Sequence, residues 1–154
     1  MNVLGEIKKS LWNGRMAHAY ILEAPAGETR DRLMTNILQE ILCRNPNLEQ
    51  RPCGLCEACQ RVAAGSHEDV IYMKKSKLEE GKTKTNKVTY VMKDTEPFMD
   101  RLRLNPYGER NIGVIPDADD LKEDVQNKIL KTLEEPYPGT VFFLVAENRN
   151  NLLP

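Results

Sequence analysis

Short apolar runs alternate with stretches of helical period along the whole chain, and that alternation constrains the fold more than any other feature. AYIL at 19–22, DVIYM at 69–73, VTYVM at 88–92, IGVI at 112–115 and TVFFLVA at 140–146 have the length and composition of strands. Between them, Leu33, Ile37, Leu38, Ile41 and Leu42 recur on one helical face, as do Val125, Ile129, Leu130 and Leu133, with Pro136 placed to halt the latter helix. Phe98, Met99 and Leu102 mark a third helix, with Asp94 in position to cap it and Pro97 tolerable in its first turn. A fourth opens the chain with Leu4, Ile7, Leu11 and Trp12 and breaks at Gly14. This order predicts an α/β fold, a three-layer αβα arrangement around a five-stranded parallel sheet with right-handed crossovers. At 154 residues the chain suits one such domain with a small insertion.

Twenty-two basic and 23 acidic residues leave a net charge of −1, so no overall positive field draws the chain to nucleic acid or an anionic membrane. No apolar run approaches the ~20 residues of a membrane span, which points to the cytosol. A reducing cytosol turns closely spaced thiols into candidate metal ligands rather than disulfides. Cys43, Cys53, Cys56 and Cys59 are spaced C-x9-C-x2-C-x2-C, and four thiolates satisfy the tetrahedral preference of zinc. A closed four-sulfur site leaves no position for substrate, so the expected role of the metal is to fold the loop at 43–59.

Residues 23–31, EAPAGETRD, lie between the first strand and a helix, the place where a phosphate-binding loop wraps its anion with glycine N–H groups and ends in Gly-Lys-Ser/Thr. Here the ending is Thr29, Arg30, Asp31. Two lesser features are weighed and set aside: His67 and His18 read as turn or hydrogen-bonding histidines, and the lysines of KKSKLEEGKTKTNK at 74–87 as a solvated loop.

HAYILEAPAG, the four-cysteine insertion, GSHEDV, RLNPYGERNIGVIPDADDL and above all NKILKTLEEPYPGTVFFLVAE carry a resemblance that spans nearly the whole chain. On these residues the sequence resembles the N-terminal ATPase-like domain of subunits of the bacterial DNA polymerase III clamp loader, a branch of the AAA+ family with the P-loop NTPase fold. Against that family's loop, Ala24 replaces the first glycine, Pro25 and Gly27 are kept, and Thr29, Arg30 and Asp31 replace glycine, lysine and hydroxyl residue. Thr29 restricts backbone conformations open to glycine, Arg30 exchanges a slim ammonium for a planar fork, and Asp31 sets a carboxylate where an anion should bind. After IGVI, the acidic pair expected for Mg²⁺ and the attacking water is Pro116 and Asp117.

The resemblance thus implies a non-hydrolysing member of the loader, with structural zinc and no functional ATP site. It implies a hetero-pentamer with the motor subunits and delta, acting on the sliding clamp and primer-template DNA without a membrane. Residues 1–154 would be the first domain of a longer chain, monomeric when isolated. The lid, the C-terminal collar and the arginine-finger motif would lie beyond Pro154, and Asn148 would hold the family's sensor position. An ATP-hydrolysing motor subunit and a zinc-dependent DNA-binding module are the alternatives.

Overall fold

A computed structural model describes residues 3–14, 16–75, 77–78, 88–135 and 137–148. The chain divides into two compact units, Met1–Ala17 with Pro25–Val70, and His18–Ala24 with Ile71–Pro154.

The first unit is helical. Helix α1 (Val3–Trp12) and helix α3 (Glu57–Ala63) both pack on α2 (Glu28–Leu42). Of the predicted face of α2, Ile37, Leu38 and Ile41 are buried, joined by Met34, while Leu33 and Leu42 are half-buried; α1 and α3 contribute Ile7, Ala58, Cys59 and Val62 to the interior. The apolar positions recur at helical spacing, so one stripe is removed from water while Glu28 and Arg32 stay exposed and pair across one turn at 2.8 Å.

The second unit is built on a sheet of order β1-β6-β5-β2, comprising β1 (Ala19–Glu23), β2 (Val70–Tyr72), β5 (Asn111–Ile115) and β6 (Thr140–Ala146). β6 runs parallel to β1, with Ala19 beside Phe142, and parallel to β5, with Ile115 beside Leu144. Every residue of β5 and β6 is buried, on both faces, as the uninterrupted apolar runs require of central parallel strands. Helices α4 (Thr95–Arg103) and α5 (Glu123–Glu134) set Phe98, Met99, Leu102, Val125 and Ile129 against Ile115, Phe142 and Leu144 in one apolar cluster. Gly113 is dictated by this packing, because a Cβ there would meet Leu102 Cδ1 and Phe98 Cζ at 2.9 Å.

Among the described residues the sheet has four strands, not the expected five. The run at 88–92 does not join it: β4 (Val88–Thr89) pairs antiparallel with β3 (Lys77–Leu78), and Tyr90 makes a single parallel bridge to Leu121. The physical reason lies one turn on, where the Val91 N–H donates to Asp94 Oδ2 at 2.8 Å and the chain curls into a short 3-10 turn. Tyr90 is drawn into the apolar cluster instead of continuing a ladder. For the same reason Asp94 stands at the cap position of α4 but gives that helix no side-chain hydrogen bond. The lysine-rich residues at 79–87 and the helix-halting Pro136 lie outside the described residues. Among the described residues no helix is long and apolar enough to cross a membrane.

Candidate metal centre and the predicted phosphate-loop positions

In the first unit the four cysteines converge, their sulfurs all within 4.8 Å of one another. Zinc–sulfur bonds of about 2.3 Å in a tetrahedron place sulfurs about 3.8 Å apart. Cys43 and Cys56 Sγ are 3.9 Å apart, and none of the four is in a disulfide.

Local structure explains the convergence. Cys43 ends α2, and Cys56 caps α3, its sulfur accepting the Cys59 N–H at 3.4 Å. Gly54 adopts φ +74, a left-handed turn that brings the N–H groups of Leu55 and Cys56 onto Cys53 Sγ at 3.4 and 3.3 Å. The Cys53 N–H reaches Cys43 Sγ at 3.5 Å. The nine-residue gap is folded by its own side chains: Arg51 Nε donates to the Asn45 carbonyl at 2.8 Å, and Asn45 Nδ2 to Gln50 Oε1 at 3.1 Å.

N–H groups aimed at sulfur favour the thiolate. Those of Cys56 and Leu55 hold the Cys53 thiol below its ordinary value. At Cys56 burial pushes the pKa up, but the N–H groups of Arg44 and Cys59 outweigh it and the thiol falls to about 6. Cys59, deeper, is pushed up to about 12 by burial. The cluster can bind a metal ion, and a divalent cation would displace the proton that burial leaves on Cys59. His67 stands apart from these ligands, its Nδ1 accepting the Asp69 N–H in a buried turn at 3.1 Å. The backbone carbonyl of His18 accepts the Phe142 N–H at 2.9 Å, and its side chain is exposed.

The phosphate-loop positions fall on both units. Ala24 closes β1 in the second unit, its N–H donating to the Ala146 carbonyl at 2.9 Å. In the first unit Gly27 precedes α2 at φ +145, and the Asp31 N–H is already spent on the Gly27 carbonyl at 3.1 Å. Thr29 and Asp31 are exposed, whereas Arg30 is buried at 7% exposure rather than extended from the loop.

Pro116 and Asp117 follow β5 in the second unit, and Asp117 Oδ2 lies 2.9 Å from Lys75 Nζ. The same ammonium reaches Asp120 Oδ2 at 2.7 Å. Asp119 accepts the Glu147 N–H at 2.6 Å and the Asn148 N–H at 3.3 Å, which ties the end of β6 to the turn after β5. Sequence reasoning missed Lys75, Asp119 and Asp120. The repeated acids of DADD were the available signal, but Lys75 was hidden in a lysine run.

A parallel α/β sheet with charged groups at the carboxyl ends of its strands is the architecture of nucleotide-handling folds. The chain shares its fold with the crystal structure of a DNA polymerase III gamma-subunit-related protein from Thermotoga maritima, at a TM-score of 0.63 and 19% identity over 99% of this chain and 42% of that one. The family model described as "DNA polymerase III, delta subunit" matches residues 1–154, and the chain belongs to that family. DNA polymerase III subunit delta' of Pseudomonas aeruginosa is 32% identical over 96% of this chain and 44% of its own length. Escherichia coli delta' is 34% identical over 91% and 40%, and the tau subunit of Salmonella typhimurium 27% over 99% and 22%. The chain therefore spans less than half the length of these curated relatives.

Proposed function

We propose that this chain is the first, AAA+-like domain of a delta-prime subunit of the bacterial clamp loader, a structural member that does not hydrolyse ATP. It works in a hetero-pentamer with the motor subunits and delta, which opens the sliding clamp and delivers it to primed DNA. The single observation that carries the reading is Asp117: it stands at the attacking-water position with its carboxylate engaged by Lys75, while Pro116, at the magnesium position, supplies no ligand. Buried Arg30 and the acidic first turn of α2, with Glu28 and Asp31, agree with it. Cys43, Cys53, Cys56 and Cys59 hold a structural zinc that folds the module at 43–59. Their sulfur donor set and closed geometry suit zinc and leave no open coordination position.

The similarity to tau favours a second reading, a motor subunit that binds and turns over nucleotide. A zinc-dependent DNA-binding module has less support, since Lys75 of the lysine run is committed to Asp117 and Asp120. Calorimetric titration of the protein with ATP, ADP and a non-hydrolysable analogue in Mg²⁺, with metal analysis of the same sample, separates these readings. The scaffold predicts one zinc per chain and no turnover; the motor predicts nucleotide affinity with phosphate release. Salt-sensitive binding of primer-template DNA by this domain alone would favour the third.

A further inference from the structure

The four sulfurs of the cysteine cluster are held in two different ways. Cys53 and Cys56 are half-buried around the Gly54 turn, where neighbouring backbone N–H groups already reach their sulfurs. Cys43 and Cys59 are buried and belong to separate helices, Cys43 at the end of α2 and Cys59 within α3. Helix α3 packs on α2 with Ala58 and Val62 in the interior, but apolar burial has no direction and leaves one helix free to slide along the other. A metal site tolerates only about 0.2 Å of error in each ligand distance.

One side chain supplies the missing direction. Gln39, half-buried on α2, takes the Cys43 N–H on its backbone carbonyl at 2.8 Å and donates its side-chain Nε2 to the Cys59 carbonyl at 3.0 Å, 20 positions further along the chain. A single residue thus grips both buried ligands. Gln60, by contrast, is exposed and donates Nε2 to the Leu55 carbonyl at 2.9 Å, a brace confined to the turn that the sulfur-directed N–H groups already hold.

We propose that Gln39 is a positioning residue of the cluster, locking Cys43 and Cys59 in the register at which all four sulfurs share one metal ion. Its amide does not reach the metal; it acts on Cys59 through that residue's carbonyl. Groups that orient ligands in this way change metal affinity by about 10–100-fold. The inference rests on reading the cluster as a zinc site.

The test is the zinc affinity of the intact protein, from competition with a chromogenic chelator, with the ligand-field absorption of bound Co²⁺ as a second readout. Gln39→Met keeps the length, suits a helix and lacks the donor. Its metal-free form should keep the wild-type urea midpoint, while zinc binds roughly tenfold or more weakly and the Co²⁺ bands shift. Gln39→Glu, which sets an acceptor against the Cys59 carbonyl, should lose at least as much. Gln60→Met should bind zinc as wild type does. A Gln39→Met protein with wild-type affinity and Co²⁺ bands would overturn the proposal. So would one that is unfolded without metal or has a lower metal-free midpoint at unchanged affinity, since the contact would then only hold the helices together. A loss in Gln60→Met equal to that in Gln39→Met would overturn it too. Wild type that takes up neither zinc nor Co²⁺ would defeat the zinc reading and the inference with it, an outcome distinct from the others.

Discussion

At the scale of single residues, the chain uses conformational freedom and charge at a few positions that decide its chemistry. Gly27 holds φ +145 ahead of α2 with nothing near the place of a Cβ, so Gly27→Ala strains only the backbone. The expected loss is of order 1–2 kcal/mol, read from urea midpoints at unchanged m-value. The thiols give a signed pH dependence. Cys56 is lowered from 9.0 to about 6, so the stability its thiolate contributes is complete above about 9 and disappears as pH falls through about 6. Protons compete with zinc for the same sulfurs, so zinc should be released on acidification, read with a chromogenic chelator. Cys59, pushed up to about 12, carries its proton at neutral pH until metal arrives. Zinc loading should release that proton, which titrations in buffers of different ionisation enthalpy will show. Cys59→Ser should abolish loading.

At the scale of elements, the strands of the central sheet were legible because uninterrupted apolar runs such as TVFFLVA leave a parallel strand few alternatives. The run at 88–92 misled for a non-local reason. Its β-branched and aromatic residues fit a strand, but pairing was decided by Asp94, whose carboxylate takes the Val91 N–H and turns the chain. The cysteine spacing announced the cluster, yet only the fold shows that Gly54 aims two N–H groups at Cys53. The Lys75 bridge was illegible because its partner Asp120 lies 45 positions on and nothing in a lysine run singles out one member. A direct check on the sheet is Gly113→Ala, whose new methyl would meet Leu102 and Phe98 at 2.9 Å. Overpacking of this kind should cost about 1–3 kcal/mol, seen as a lower midpoint in urea. Its effect on zinc content should be nil, since Gly113 and the cysteines belong to different units.

At the scale of the whole molecule, the chain is a mixed α/β member of the family described as "DNA polymerase III, delta subunit", with distinct chemistry in each of its two units. The helical unit carries the four-cysteine cluster, and the sheet unit carries a turn in which Lys75 pairs with Asp117 and Asp120. Zinc removal by a chelator should loosen the module at 43–59 first, with faster amide exchange at residues 53–59 and little change in β5 and β6, because metal binding is linked to local folding. The chain's relatives include both delta' and tau, so sequence similarity alone leaves the two roles side by side, and the proposed reading turns on the residues at 29–31 and 116–117. The most direct measurement is single-turnover release of phosphate from Mg·ATP by the intact protein at enzyme excess. No release above the protein-free rate is the predicted result; release that disappears on Arg30→Ala would contradict the account and restore the motor reading.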